Sequence, residues 1–309
     1  MIGSSVYLEL SETRVRILKG SERKRVFRID GYANLELKYP LGKSLDDDRN
    51  FEIGSQIAGF LKERGLRSRR TTVLLNREGM ITRNARVPAL ERKVLDEFLH
   101  AAINEFLPVD LNEYAFDYRI IRSFKDEADN KKYFDLMLAA VPRFMVEQVM
   151  QIMKATGMYV RSLDILPNSL FRLFACSDYA DVAILDVSHD GSRIAICEEG
   201  SLLLYADIPF KDLEENDTDF STLIEETRGY LNFFAARHQG RQVEALHVVG
   251  DLARREELVV STLGEVLAVP VKTSLDDIFT CRWGKSAGQP SRSISSTLAG
   301  NLGMMLRKD

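Results

Sequence analysis

Two short segments of the chain carry a carboxylate and a hydroxyl two residues apart. One is Glu9-Leu10-Ser11 and the other is Asp186-Val187-Ser188, and each follows an apolar run. A carboxylate at the first bend of a β-hairpin can hold a metal ion through water, or it can accept hydrogen bonds from the amides of the turn. For Asp186 both interpretations stay open, the second with the amides of Ser188 and His189 as donors.

The elements that position these acids are two similar hairpins. From Asp181 to Ile208 three β-rich runs are joined by short turns rich in Asp, Gly and Ser, a pattern typical of a β-meander. The segment Val6 to Phe27 repeats this plan when two short gaps are allowed, which predicts two lobes that each open with the same hairpin. The aligned pieces are Leu8 to Ser11 over Leu185 to Ser188, and Arg14-Val15 over Arg193-Ile194.

The composition narrows the class of protein. The chain has 309 residues, 45% of them hydrophobic, which is enough for two domains or one bilobed unit. Its formal net charge is −4 and its pI is about 5.8, which argues against a nucleic-acid scaffold, so no nucleic-acid partner is expected. No apolar run approaches the roughly 18 residues of a membrane span, so a soluble cytoplasmic protein is expected.

Cysteine and histidine are too scattered for a disulfide framework or a metal site. Cys176, Cys197 and Cys281 show no paired spacing such as C-x-x-C, and no histidine falls at ligand spacing with another histidine or a cysteine. We therefore expect reduced cysteines that pack in the interior, and no metal site.

The order of apolar patterns predicts an α/β fold in three parts. A first lobe is expected over residues 1–78 plus 159–178, and a second lobe over 179–309, with a small helical part at 211–242 and a closing helix at 294–306. Between them, residues 79–158 are expected to form an inserted subdomain with the order strand, helix, strand, strand, helix. Its helices carry the apolar stripes Leu95, Leu99, Ala102, Phe106 and Met145, Val149, Ile152, Met153.

This order of elements and several local motifs resemble one family. On these residues the chain resembles the type IV pilus assembly protein PilM, of the actin-like ATPase superfamily, as a divergent member. The cell-division protein FtsA and the cytoplasmic domain of the type II secretion protein GspL are neighbours in that superfamily. The resemblance covers nearly the whole chain and implies a bilobed actin-like (ribonuclease H-like) fold with the βαββα subdomain inserted in the first lobe. The motifs are Val87-Pro88-Ala89-Leu90, Phe106-Leu107-Pro108-Val109, Phe116-Asp117-Tyr118-Arg119, Leu163-Asp164-Ile165 and Leu298 to Met304.

The resemblance also implies a nucleotide site between the two hairpins. In such ATPases each hairpin reads D-x-G, where the acid holds hydrated magnesium and the glycine lets backbone amides approach phosphate oxygens. Here Ser11 and Ser188 replace both glycines, and Asp251 brings negative charge to the adenosine turn, although Gly191 could still supply a flexible turn. We therefore predict a remnant nucleotide site, at which ATP with magnesium remains possible and no cofactor is firmly expected. Its residues are Glu9, Ser11, Asp186, Ser188, Gly191, Gly250 and Asp251.

For function, the resemblance implies a cytoplasmic assembly platform, peripheral to the inner membrane, in a type IV pilus or type II secretion machine. Its expected partners are the N-terminal tail of a single-span, PilN-like membrane protein and other platform proteins. An unstructured tail gains most from a cleft between rigid units, where its backbone can pair and its apolar side chains find pockets. The insertion and the first lobe are expected to form this cleft, with candidate walls at the strand Arg83 to Val87 or at Phe116, Tyr118 and Ile120.

Two alternatives use the same fold. One is an active actin-like ATP-binding protein or ATPase, and the other is a filament-forming relative of FtsA. The basic run Lys62 to Arg70 also has two interpretations, a solvated helix end or a surface that faces anionic lipid head groups.

Overall fold

The computed structural model describes residues 4–68, 70–210, 219–284, 287 and 294–307. The strands in these ranges are β1 (Ser5–Leu10), β2 (Arg14–Arg23), β3 (Val26–Glu36), β4 (Arg70–Leu75), β5 (Ile81–Pro88), β6 (Tyr114–Lys125), β7 (Lys132–Pro142), β8 (Tyr159–Ile165), β9 (Asp181–Ser188), β10 (Gly191–Glu198), β11 (Ser201–Ile208), β12 (Ala245–Gly250), β13 (Val271–Lys272) and β14 (Thr280–Trp283). The α-helices are α1 (Asp47–Glu63), α2 (Arg92–Phe106), α3 (Arg143–Thr156), α4 (Leu166–Phe174), α5 (Ser221–Arg237), α6 (Glu256–Val266), α7 (Ile294–Thr297) and α8 (Ala299–Met305).

Two of the three sheets share one topology. The order β3-β2-β1-β4-β8 in the first sheet matches β11-β10-β9-β12-β13 in the second. In each sheet the first strand of the meander pairs antiparallel with the second strand and parallel with the fourth. The predicted repeat of the opening hairpin in two lobes is therefore confirmed.

Layers of helices cover both faces of these two sheets. Helices α1 and α3 pack on the outer face of the first sheet, and α5 and α6 pack on the outer face of the second. Helices α4 and α8 lie in the core shared by the inner faces of both sheets. Every residue of β9 is buried, and its sequence is a nearly continuous apolar run and not an alternation of apolar and polar residues. This pattern is typical of a strand that is covered on both faces.

The inserted segment has the predicted element order, but its last helix packs elsewhere. Strands β5, β7 and β6 form a separate three-stranded antiparallel sheet, and Leu95, Leu99 and Ile103 of α2 are buried against it. The stripe of α3 that contains Met145 and Val149 instead joins the core of the first lobe with α1. Helix α3 therefore links the insertion to the first lobe.

The predicted boundary of the second lobe needs a correction. Strand β14 lies within the range assigned to that lobe, yet it pairs parallel with Val26–Ile29 of β3 and becomes the edge of the first sheet. The expected closing helix at 294–306 is two helices, α7 and α8, and α8 buries Leu302 and Met304 in the core between the sheets. Of the expected helical part at 211–242, residues 211–218 lie outside the described residues.

Candidate functional site

Each lobe carries an acid and an arginine opposite one another on the opening hairpin. Glu9 of β1 faces Arg16 of β2, and Asp186 of β9 faces Arg193 of β10. Both turns contain two residues, since Ser11 N donates to Arg14 O at 3.0 Å and Ser188 pairs with Gly191. The two hairpins therefore align without gaps, and Arg16 is the counterpart of Arg193. The sequence had predicted Arg14 at this position, which is wrong.

The guanidinium of Arg16 joins the two lobes. Its Nη1 lies 2.7 Å from Glu9 Oε1 in its own lobe, while its Nη2 lies 2.8 Å from Asp251 Oδ2 and 3.0 Å from Ser188 Oγ in the second lobe. Only 6% of Arg16 is exposed. Burial alone would lower the pKa of Arg16, but the carboxylates of Glu9 and Asp251 outweigh it and raise that pKa above its ordinary value.

A second set of hydrogen bonds ties the tips of the two hairpins together. Asp190 of the second hairpin accepts a hydrogen bond from the hydroxyl of Ser11, and further bonds from Thr13 N at 2.9 Å and Thr13 Oγ1 at 2.5 Å. Burial works against ionisation of this carboxyl, yet these donors hold the pKa of Asp190 below its usual range. Ser11 thus serves as a contact between the lobes.

Asp186 lies deeper in the cleft and has few donors of its own. Its Oδ1 accepts from Ser188 Oγ at 3.1 Å, and Arg193 Nη1 lies 3.9 Å from its Oδ2. Arg193 Nε in turn lies 3.2 Å from Asp207 Oδ1. Burial raises the pKa of Asp186 to about 6, against the opposing effect of Arg16 and Arg193.

Gly250 allows β12 to end directly against the second hairpin. Its φ is +81°, and a Cβ at this position would lie 2.4 Å from Asp186 Oδ1 and 2.6 Å from Val187 O. The glycine is therefore required both for its backbone conformation and for the close approach of the strand. Gly191 belongs to the same hairpin, but it lies beside the side chains of Arg193 and Glu78.

The cleft therefore brings together most of the residues expected from the sequence, and it adds three that the sequence reasoning missed. The added residues are Arg16, Thr13 and Asp190. A signal for Arg16 was present, because a gap-free alignment of the two hairpins puts an arginine opposite the acid in both. Within the described part of the chain, no group of three or more His, Cys, Asp or Glu side chains is arranged to hold a metal ion.

A second candidate site is a groove of about 1040 Å³ between the three-stranded sheet and the first lobe. One wall is the face of that sheet that carries Ala115, Asp117 and Arg119 of β6, with Met137 and Ala139 of β7 paired beside them. The opposite side is formed by the end of β8, by α4 and by the turn between β2 and β3. The residues on that side include Leu163, Asp164, Ile165, Asn168, Arg172, Lys24 and Arg25.

The lining of the groove changes from apolar to polar along its length. Near the start of β6 it is lined by the apolar side chains of Leu75, Val141 and Val146. Farther along, the guanidinium of Arg119 lies 5.2 Å from the centre of the Phe171 ring, and its Nη1 lies 3.3 Å from Asn168 Oδ1. Apolar side chains can therefore bind at one end, and polar or charged groups at the other.

Two of the residues predicted as walls, Phe116 and Tyr118, are among the residues that line this groove. Phe116 packs edge-on against His100 at a ring distance of 4.7 Å, and Tyr118 donates to Asp96 Oδ1 at 2.5 Å, both across the interface with α2. Phe116 and Tyr118 therefore lie between the groove and α2, and they also pack against the apolar cluster under that helix.

The remaining residues predicted as walls lie away from the groove. Ile120 is 44% exposed and does not line it. Arg83 and Val87 belong to β5, at the far edge of the three-stranded sheet, and Val87 is buried under α2.

A family model described as type IV pilus assembly protein PilM matches residues 8–210 of this chain. No curated protein sequence matches the chain.

Solved structures resemble the whole chain. A chain of a PilM-PilN type IV pilus biogenesis complex superimposes with a TM-score of 0.77 at 15% identity, over 98% of this chain and 97% of that chain. The ethanolamine utilization protein EutJ from Carboxydothermus hydrogenoformans superimposes with a TM-score of 0.52 at 12% identity, over 99% and 90% of the two chains. At these identities the likeness shows the fold alone, and it confirms the predicted bilobed actin-like fold.

Proposed function

This chain belongs to the type IV pilus assembly protein PilM family, and from that premise we propose that it is an assembly-platform protein that binds the N-terminal tail of a PilN-like partner. The partner is a protein with a single membrane span, and the tail is its cytoplasmic end. In the complex named above, PilM is joined to PilN, which supports a partner of this kind here.

The observation that carries the proposal is the groove between the three-stranded sheet and the first lobe. Among the strands of the described residues, β6 lies at the edge of its sheet and pairs only with β7, so its other side can pair with an added strand. The groove follows β6 from Ala115 to Arg119, a distance of roughly 13 Å at the rise of an extended strand. A short extended tail fits this length, with its apolar side chains toward Val141 and Val146.

We also infer that the cleft between the lobes is the remnant of a nucleotide site. Magnesium with a triphosphate would need the space between Glu9, Asp186 and Asp251, and the guanidinium of Arg16 already lies among these carboxylates. Asp251 would add repulsion to the phosphates, and the side chains of Ser11 and Ser188 stand at the bends where glycine is needed. The residues present do not fit the group, so the platform role needs no bound nucleotide.

The proposed location is the cytoplasmic side of the inner membrane, reached through the partner. None of the helices in the described ranges has the length and apolar composition needed to cross a bilayer. Attachment through the tail of a membrane-anchored partner is consistent with this finding.

The test is binding of a synthetic N-terminal tail from a PilN-like single-span protein of the same organism. Fluorescence anisotropy should report saturable binding, and the tail should raise the melting temperature because it binds only the folded protein. Ala139→Trp puts a large ring in the groove and should abolish binding, whereas Ala236→Trp on the exposed side of α5 should bind like the wild type. Equal binding by both variants, with both folded by circular dichroism, would contradict the proposed groove.

A further inference from the structure

One end of the first sheet is strongly basic. At this end, which we call the basal edge, β1, β4 and β8 begin and β2 ends, since Ser5 pairs with Gly20 and Arg70 pairs with Tyr159. Helices α1 and α3 also end here, because each leads directly into β4 or β8. The cleft with Arg16 and Asp251 lies at the opposite end of the same strands.

Exposed basic side chains line the basal edge from the turn between β2 and β3 to the start of β8. Acidic side chains are fewer, and two of them are engaged locally: Glu22 accepts from the amide of Arg25 at 2.6 Å, and Asp30 pairs with Arg28 at 2.9 Å. Glu63 is the exposed acid at the end of α1. The basic residues are Arg23, Lys24, Arg25, Lys62, Arg64, Arg67, Arg70, Lys154 and Arg161; Arg69 of the predicted basic run lies outside the described residues.

An aromatic side chain stands among these cations. Tyr159 begins β8 beside Arg70 and is 73% exposed, the highest exposure among the large hydrophobic side chains of the described residues. Tyrosine has an apolar ring and a polar hydroxyl, so it is favoured where an apolar phase meets water. Cations together with an exposed tyrosine match the head-group region of a bilayer.

The groove opens onto this edge. Lys24 and Arg25 belong both to the turn at the basal edge and to the lining of the groove, where Arg25 Nη1 lies 3.2 Å from Cys176 O. The basic surface is therefore continuous with the mouth of the proposed tail-binding groove.

From this continuity we propose that the basal edge lies against a membrane surface rich in anionic phospholipid, with the groove opening toward the bilayer. The inference rests on the proposed function in one respect, namely that the tail arrives from that membrane. A tail leaving its membrane span then enters the groove without crossing the protein surface. The cleft between the lobes faces the cytoplasm.

Nucleic acid is the other polyanion that a basic edge could meet. The net charge of −4 means that the cations are concentrated here while the rest of the surface is acidic. The exposed tyrosine and the adjoining groove favour a lipid surface over a nucleic acid. Each cation near an anionic membrane strengthens binding by about fivefold, and the effect is screened by salt.

The test is sedimentation of the full chain with vesicles of phosphatidylcholine, with and without phosphatidylglycerol. The wild type should bind only the anionic vesicles, and high salt should release it. The double variant Arg67→Glu, Arg70→Glu should bind at least about tenfold more weakly. The matched control is Arg228→Glu, Arg237→Glu, which makes the same change of charge on the exposed surface of α5 and should keep wild-type binding.

The proposal would be overturned by equal binding of the wild type to neutral and anionic vesicles, by equal loss in both double variants, or by binding of duplex DNA in place of vesicles. Tail binding is measured in parallel on the same proteins. Neither substituted basic residue lines the groove, so loss of vesicle binding with unchanged tail affinity supports the membrane contact. Tail binding without any binding to vesicles refutes the membrane contact and leaves the platform function standing.

Discussion

Arg16 Nη2 lies 2.8 Å from Asp251 Oδ2, and this contact joins the first lobe to the second inside a cleft that excludes water from most of the guanidinium. With the hydrogen bonds from Ser11 and Thr13 to Asp190, it holds the two opening hairpins together.

Removal of the Asp251 carboxylate should destabilise the protein. In Asp251→Ala the buried Arg16 keeps only part of its compensating negative charge. Breaking a buried ion pair in this way lowers the free energy of unfolding by about 3 kcal/mol or more. Urea denaturation of wild type and variant measures the change. Glu36→Ala is the control, because its exposed carboxylate lies 3.3 Å from Arg14 at the surface and should contribute little. Equal effects of the two substitutions would mean that the contact between the lobes adds no stability.

ATP with magnesium should not stabilise the wild-type chain. A ligand at a hundred times its dissociation constant adds about 2.7 kcal/mol to the stability of the protein it binds, a change that thermal denaturation detects easily. We expect no shift with Mg-ATP and a clear shift with the tail peptide in the same assay. Saturable ATP binding tighter than micromolar, with phosphate release that Asp186→Ala abolishes, would instead support an active ATPase.

Asp186 should make the stability depend on pH between about 4 and 7. Its pKa is raised from 3.8 to about 6 in the folded state, so the folded chain binds this proton more tightly than the unfolded chain does. The stabilisation by that proton is complete below pH 4 and is lost as the pH rises through 6. Relative to Asp186→Asn, the wild type should lose up to about 3 kcal/mol between pH 4 and pH 7.

Thermal or urea unfolding of both proteins across this range gives the comparison. Asp190 and Asp251 have lowered pKa values and produce the opposite slope, but they are present in both proteins and cancel in the difference. Parallel stability curves for wild type and Asp186→Asn would show that the carboxyl titrates normally.

Gly250→Ala should be far more damaging than an alanine at another glycine with positive φ. At Gly250 the new methyl group would lie 2.4 Å from Asp186 Oδ1, whereas at Gly200, with φ +74°, a Cβ meets no atom within 4 Å. Gly200→Ala should therefore cost about 1 kcal/mol for the backbone conformation alone. The additional loss of stability in Gly250→Ala, beyond that in Gly200→Ala, measures the effect of the close approach of β12 to the second hairpin. Equal decreases of the melting temperature in the two variants would contradict this effect.

Much of the fold could be predicted from the sequence, because it is encoded in local patterns. The apolar meander of Asp181–Ile208 and the stripe on α3 both identify elements that the structure contains. Strand β14 could not be found in this way. It is four residues long, and it forms only because the chain returns to the edge of the first sheet, more than two hundred residues after β3.

The candidate sites were less predictable, for two separate reasons. At the cleft, Glu9 and Asp186 were recognised from the two motifs that carry them, whereas Arg16 belongs to neither motif. Its role depends on the register of the hairpin and on a partner, Asp251, more than two hundred residues away. At the groove, Phe116 and Tyr118 were predicted and are among the lining residues, but the other walls depend on how the insertion packs on the first lobe, which no local pattern shows.

The pairing of β14 with β3 also constrains how the protein is made. The first lobe contains strands from the beginning of the chain, but its edge strand β14 and the helix α8, which packs on β1, β2 and β4, are translated after the whole of the second lobe's sheet. While the ribosome is still adding residues, β3 remains an open edge and Leu18 and Leu74 lack the cover of α8. The first lobe therefore starts first, but it is completed only after synthesis has passed Met305.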